Sequence, residues 1–125
     1  MKVISTKTHG VLDYLEGILL IAVPAIFNFG RWGEAAISLP QILGLGLILY
    51  SLVTRYELGV IKSISMKTHL TLDVFAGAFL AISPFLFGFY DSAQNAWLPY
   101  VAIGLVIILG GIMTKITPES LKENN

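Results

Sequence analysis

The sequence predicts an all-α integral membrane protein, a four-helix bundle built from two parallel two-helix hairpin repeats. Three observations predict this fold. The chain is 55% hydrophobic and only 13% charged, about half the ~25% charged residues of a soluble domain. It contains four apolar stretches, each close to the ~20 residues that cross a ~30 Å hydrocarbon core as a helix. One polar pattern, Lys-Thr-His-x-x-x-Asp, begins at Lys7 and again at Lys67.

The four apolar stretches give the expected membrane-spanning helices, approximately 10–29, 35–53, 70–89 and 96–113. The first contains Asp13 and Glu16 and lacks a small-residue cleavage pattern, so we expect it to stay in the mature protein rather than act as a signal peptide. Residues 117–125 form a short polar tail. We expect one transmembrane domain over 1–125.

Charge and cysteine content exclude several classes of protein. The chain has no cysteine, which removes disulfides and thiolate metal sites. The net charge is zero and there is no run of basic residues, so nothing favours binding to nucleic acid. The sequence also has no Gly-rich phosphate loop, Ser nucleophile elbow or His-Glu-x-x-His motif. We therefore expect no enzymatic activity.

The basic residues predict the orientation in the membrane. Seven of the eight Lys and Arg residues lie before the first helix, between the second and third helices, or after the fourth, and Arg31 is the exception. By the positive-inside rule, both termini are cytoplasmic and the protein is a multi-pass protein of the inner (plasma) membrane. Aromatic residues near the opposite ends predict an interfacial belt there: Trp32, Tyr90, Trp97 and Tyr100. Tyr50 and Tyr56 are candidates for the inner belt.

An internal repeat organises the chain. At an offset of 60 residues, repeat 1 (about 4–56) aligns with repeat 2 (about 64–116), and twelve positions match between Ile4/Ile64 and Phe29/Phe89. Matches continue in the second helix of each repeat and end with Thr54/Thr114, after which Arg55 aligns with Lys115. Each repeat crosses the membrane twice, so the repeats are parallel and related by a pseudo-two-fold axis along the membrane normal.

The second repeat contains Ser83-Pro84-Phe85, followed by a Gly88-Phe89 turn and by Trp97. In these residues it resembles the SPW-repeat family of small bacterial integral membrane proteins, with Phe85 where that family has tryptophan. The first repeat keeps Pro24, Phe27 and Phe29 of that pattern. The resemblance covers both hairpins. It implies the architecture and, because the family has no established activity, implies little chemistry.

The repeated polar residues are the candidate site. His9 and Asp13 are four residues apart, as are His69 and Asp73, so each pair lies on one helix face. The main interpretation is structural: Asp13 pairs with Arg55 and Asp73 with Lys115 across each hairpin, or the pairs form crosswise between the hairpins. Such ion pairs neutralise carboxylates near the bilayer. Ser5 and Ser65, or Thr8 and Thr68, would cap the helices. A scaffold or accessory protein of this kind would have no cavity between the pairs.

The alternative is that the four residues meet in one site. Imidazole and carboxylate are ligands for zinc or another divalent ion, and histidine can also pass protons. Glu16 adds a carboxylate that the second repeat replaces with Ala76. An ion or proton conductor would need an oligomer, because four helices enclose little space. Haem ligation by the two histidines is disfavoured by their position at helix ends.

The expected function is therefore a non-catalytic membrane scaffold or accessory protein without a cofactor, a divalent metal being the open alternative. Its expected surroundings are the lipid bilayer and, as an alternative, a homo-oligomer. Pro24 and Pro84 are predicted to bend their helices, since each removes a helical hydrogen bond. Gly44 and Gly104 predict close approach of neighbouring helices.

Overall fold

The computed structural model describes residues 2–118, and this part of the chain is all-α. It contains four α-helices: α1 (Thr6–Ile26), α2 (Glu34–Leu52), α3 (Met66–Leu86) and α4 (Leu98–Met113). A short 3₁₀ helix, Phe29–Trp32, precedes α2. The predicted four-helix fold is confirmed. Most of the polar tail predicted over 117–125 lies outside the described residues.

Three of the helices, α1, α2 and α3, are long and apolar enough to cross a membrane. α4 is equally apolar in character but has 16 residues, which is ~24 Å of helix. Large apolar side chains such as Ile42 and Phe75 lie exposed on the outside of the bundle, whereas Asp13, His69 and Ser83 are buried inside it. This distribution is that of a protein surrounded by lipid.

The two hairpins have matching helix starts and matching close contacts. Ser5 and Ser65 are the N-caps of α1 and α3, and each side-chain oxygen accepts from the backbone N–H three residues later at 3.1 Å. Gly104 packs so closely on α3 that an added Cβ would lie 2.6 Å from Gly77 O, and at Gly44 it would lie 2.7 Å from Gly17 O. The predicted close approach of the helices is confirmed.

The segments before α1 and α3 make equivalent backbone contacts. Ile4 N–H donates to Met113 O at 3.0 Å, and Lys115 N–H donates back to Ile4 O at 2.9 Å. Ile64 makes the same pair of hydrogen bonds with Val53 O and the Arg55 N–H, at 2.8 Å each. The first pair joins the beginning of α1 to the end of α4, and the second joins α3 to α2. Since α1 also packs on α2, and α3 on α4, the four helices form a closed ring at this end. We call it the basic end, because the segments here contain Lys2, Lys7, Arg55, Lys62, Lys67 and Lys115.

α1 and α3 end three residues earlier than the apolar stretches predicted. α1 ends at Ile26 and α3 at Leu86. Two residues later, at positions also related by the 60-residue offset, Asn28 has φ 52° and Gly88 has φ 75°. A left-handed residue at this position is a common way to end a helix, so the turn chemistry stops each helix before the apolar sequence does.

Hydroxyl groups compensate for two of the prolines inside helices. Pro84 removes the donor for Leu80 O, and the buried Ser83 hydroxyl donates to that oxygen at 2.7 Å. Pro40 likewise removes the donor for Ala36 O, and Tyr100 Oη donates to it at 2.5 Å. Tyr100 is therefore buried in the core, and its predicted place in an interfacial belt is wrong. The bends at Pro24 and Pro84 stay a prediction.

Candidate metal centre

The two repeated His/Asp pairs meet in one buried cluster near the basic end. His9 and Asp13 come from α1, and His69 and Asp73 come from α3. All four side chains are buried, and one ligand atom from each lies within 4.8 Å of all the others. The one-turn spacing predicted that each pair shares a face, and both faces point into the bundle. We call these four residues the His–Asp cluster.

Each histidine Nε2 lies against both carboxylates. His9 Nε2 is 3.0 Å from Asp13 Oδ1 and 2.8 Å from Asp73 Oδ2. His69 Nε2 is 3.0 Å from Asp13 Oδ2 and 3.4 Å from Asp73 Oδ2. Each histidine therefore contacts one carboxylate of its own helix and one carboxylate of the other repeat.

Two threonines orient the imidazole rings through Nδ1. His9 Nδ1 lies 2.7 Å from Thr114 Oγ1, and His69 Nδ1 lies 2.7 Å from Thr54 Oγ1. Each threonine hydroxyl donates its single proton to a carbonyl four residues earlier, at 2.6 Å. The hydroxyl oxygen must then accept from the ring, so Nδ1 carries a proton. In a neutral imidazole of this tautomer, Nε2 would be the unprotonated nitrogen. The 2.8 Å hydrogen bond from His9 Nε2 to Asp73 Oδ2 instead requires a proton on Nε2, because a carboxylate only accepts.

His69 Nε2 is a buried nitrogen with unmet hydrogen-bonding capacity. The His69 side chain is fully buried. Within residues 2–118 its Nε2 has no partner of suitable hydrogen-bond geometry, although Asp13 Oδ2 is 3.0 Å away. Buried polar atoms are nearly always satisfied. The two carboxylate oxygens nearest to this nitrogen are Asp13 Oδ2 at 3.0 Å and Asp73 Oδ2 at 3.4 Å.

Two tyrosines from the first repeat supply hydrogen bonds to the carboxylates. Tyr56 Oη donates to Asp13 Oδ2 at 2.7 Å, and Tyr50 Oη donates to Asp73 Oδ1. Burial, and then the nearby Asp13 charge, raise the pKa of Tyr56, which lies in the loop after α2, above its ordinary value. Tyr56 therefore stays protonated and remains a donor. The two tyrosines point into the bundle, so assigning them to an inner aromatic belt was wrong.

The ion pair predicted between Asp13 and Arg55 is absent from the described part of the chain. Asp13 contacts the two histidines and Tyr56, whereas Arg55 Nε donates to Lys62 O at 3.4 Å. Asp73 is likewise held by both histidines and Tyr50, the position for which Lys115 was predicted. The reason is geometric: the carboxylates face the centre of the bundle, and the basic residues follow the ends of α2 and α4.

Glu16 lies outside the His–Asp cluster but beside it. Together with His9 and Asp73 it lines a cleft of about 220 Å³. Glu16 is half-buried, and within residues 2–118 its carboxylate makes no hydrogen bond or salt bridge. The spacing from Asp13 predicted a carboxylate near the same face, and Glu16 lines the cleft about one helical turn farther from the basic end than Asp13.

Four residues of the site were not identified from the sequence: Tyr50, Thr54, Tyr56 and Thr114. For the threonines the signal was present, because Thr54 and Thr114 match at the 60-residue offset in an otherwise apolar alignment. The tyrosines had no such signal, since their equivalents in the second repeat are Gly110 and Ile116. Both imidazole rings thus have equivalent threonine partners from the two repeats, whereas the tyrosine partners of the carboxylates come from the first repeat alone.

The family model for the SPW repeat domain matches residues 7–114. The chain belongs to the SPW repeat domain family. The match contains both hairpins and all four residues of the His–Asp cluster. No curated protein and no solved structure matches the chain. In this member of the SPW repeat family, the Ser-Pro element has a physical role, because Ser83 satisfies the carbonyl that Pro84 leaves without a donor.

Proposed function

We propose that this SPW repeat protein binds a divalent transition-metal ion, zinc by preference, at His9, Asp13, His69 and Asp73. It acts without catalysis, as an accessory protein of the inner membrane with cytoplasmic termini. The observation that carries the proposal is the convergence of both repeats on one site whose two Nε2 atoms face two carboxylates. The scaffold interpretation required separate ion pairs and no cavity, and the observed arrangement does not support it.

Charge balance supports a cation at this position. With both imidazoles neutral, the His–Asp cluster carries a charge of −2 in a buried environment. Such a charge is costly unless it is neutralised. One divalent cation would neutralise it, as would two protons on the Nε2 atoms. Protons and metal therefore compete for the same atoms, and we expect metal affinity to fall at low pH.

The distances and the surrounding hydrogen bonds suit a four-ligand metal site. In a tetrahedral zinc site with bonds of ~2.0–2.1 Å, neighbouring ligand atoms are ~3.3 Å apart. The four Nε2–Oδ distances, which involve both oxygens of Asp13, range from 2.8 to 3.4 Å, and one ligand atom from each residue lies within 4.8 Å of the others. Metal-bound histidines usually donate their other ring N–H to an oxygen, and metal-bound carboxylates accept hydrogen bonds. Thr54, Thr114, Tyr50 and Tyr56 provide these contacts.

Elemental analysis of untagged protein tests the proposal. The chain has two histidines and no cysteine, so any histidine-bound metal reports on this cluster. We expect about one zinc ion per chain in wild type, and loss of the metal in the double variant His9→Ala/His69→Ala. Asp13→Asn/Asp73→Asn keeps the shape of the cluster while removing its charge, and should also lose the metal.

Asp91→Asn is the matched control, because Asp91 is an exposed carboxylate distant in sequence from the cluster. Its metal content should equal that of wild type. Circular dichroism and size-exclusion chromatography establish that each variant is folded. Folded wild-type protein that binds no divalent metal at micromolar concentrations would overturn the proposal.

A further inference from the structure

A cleft reaches the His–Asp cluster from one side of the bundle. The cleft of about 220 Å³ lies between α1 and α4, and Asp73 on α3 forms part of its floor. It extends to Ile4 and Met113, whose backbone groups belong to the basic end. His9 and Asp73 line this cleft, whereas Asp13 and His69 do not. A ligand entering here meets His9 and Asp73 first.

The equivalent seam between α2 and α3 is closed by a side chain. Tyr50 crosses that seam and donates to Asp73. Its equivalent on α4 is Gly110, where a Cβ would lie 3.7 Å from His9 Cε1. The cleft therefore exists on one side because the second repeat has glycine where the first has tyrosine. The same side has Glu16, where the second repeat has Ala76.

Glu16 stands between two environments in the α1–α4 seam. On the side of the basic end is the cleft that contains His9 and Asp73. On the other side is a second cavity of about 220 Å³, lined by apolar residues such as Leu20, Phe29 and Ile103. A hydrated cation gains nothing from an apolar cavity and pays for desolvation there. The cleft toward the basic end is therefore the route that offers polar groups, since His9, Glu16 and Asp73 line it among apolar side chains.

We propose that divalent cations reach the His–Asp cluster through the α1–α4 cleft and that Glu16 is the carboxylate that attracts them there. The inference rests on the proposed function. Glu16 is half-buried, lines the cleft beside His9 and Asp73, and within the described residues has no hydrogen-bond or salt-bridge partner. A carboxylate in a cleft with low-dielectric walls concentrates cations and raises their rate of association.

The first test is the rate of zinc loading, measured by stopped flow against a fluorescent zinc indicator. We expect Glu16→Gln to load at least about tenfold more slowly than wild type, while its final zinc content stays at the wild-type value. Glu34→Gln is the matched control, because Glu34 is exposed and lines neither cavity. Wild-type loading rates in Glu16→Gln would overturn the inference while leaving the proposed function intact.

The second test needs no metal. Because the chain lacks cysteine, Gly110→Cys places a single thiol in the cleft, and a Cβ fits there without a clash. We expect a cationic methanethiosulfonate reagent to modify this thiol faster than an anionic one, and Glu16→Gln to reduce that preference. Gly46→Cys, on α2 outside the cleft, should show no effect of Glu16→Gln.

The two tests separate the possible failures. A wild-type protein that binds no zinc overturns the proposed function, and the thiol result still decides the route. An unreactive thiol at position 110, or a charge preference independent of Glu16, overturns the inference whatever the metal content.

Discussion

His9 Nε2 on α1 lies 2.8 Å from Asp73 Oδ2 on α3, which joins the two repeats at the centre of the bundle. His69 and Asp13 make the reciprocal contact at 3.0 Å. Each repeat therefore contributes half of the His–Asp cluster, and duplication of the hairpin provides four candidate ligand atoms from a two-residue motif.

The threonines behind the imidazoles give the first prediction. Thr54→Val or Thr114→Val removes the acceptor for a histidine Nδ1–H, so the ring is no longer held with Nε2 toward the carboxylates. We expect zinc affinity to fall about 10–100-fold in each variant, and by similar factors, since the two contacts are equivalent. Competition with a chelator of known affinity measures this.

Thr71→Val is the matched control for that experiment. Thr71 also donates to a carbonyl four residues earlier, at 2.9 Å, but it is exposed and contacts no histidine. Its zinc affinity should equal that of wild type. Equal affinities in all three variants would show that ring orientation does not matter.

Tyr56→Phe gives a pH-dependent prediction. At neutral pH the variant leaves Asp13 Oδ2 without this donor, and we expect the free energy of unfolding to fall by about 1–3 kcal/mol. Because the pKa of Tyr56 is raised in the folded protein, its contribution to the free energy of unfolding is fully present below the ordinary tyrosine pKa of ~10. Above that pH the unfolded chain loses its proton and the folded protein does not, so the contribution declines.

Thermal unfolding in detergent at pH 7 and above pH ~10 checks this prediction. The difference in Tm between wild type and Tyr56→Phe should narrow at the higher pH. Tyr90→Phe is the control, because Tyr90 is exposed, and should match wild type throughout. A difference that widens with pH would contradict the assigned donor role.

Gly104→Ala tests the close packing within the second hairpin. The added methyl group would lie 2.6 Å from Gly77 O and 2.8 Å from Ala81 N, so α3 and α4 must separate. We expect destabilisation of about 1–3 kcal/mol, measured by thermal unfolding. Gly46→Ala is the control, because an added Cβ there meets nothing within 4 Å. Equal stability of the two variants would contradict the packing.

Ser83→Ala tests the role of the Ser-Pro element. The substitution removes the hydroxyl that donates to Leu80 O next to Pro84, and we expect a loss of about 0.5–1.5 kcal/mol in the free energy of unfolding. Val23 is the equivalent residue of the first repeat, so Val23→Ala serves as the comparison at the same depth in α1. Restored stability in Ser83→Ala when Pro84 is also replaced by Ala, which returns a helical donor, would support the explanation.

The helices and the repeat could be predicted from the sequence because both are local patterns: apolar length gives the spans, and Lys-Thr-His-x-x-x-Asp gives the offset. The predicted pairing of Asp13 with Arg55 was wrong because it rested on their similar depth in the membrane. Depth does not show that the Asp13 side chain points to the centre of the bundle. Tyr50 was assigned to the wrong environment for the same reason. Which of the two equivalent seams is open depends on whether tyrosine or glycine occupies the same position of each repeat, Tyr50 in one and Gly110 in the other. No local pattern encodes the effect of that difference on packing between helices.

The most direct test of the central claim is an NMR spectrum of the histidine side chains. With ¹⁵N-labelled histidine, the chain gives signals from two imidazoles alone, and the nitrogen shifts distinguish protonated from unprotonated and metal-bound atoms. We predict that both Nδ1 atoms stay protonated and that both Nε2 signals shift together on addition of one equivalent of zinc. Nε2 signals that do not change at saturating zinc would contradict the account.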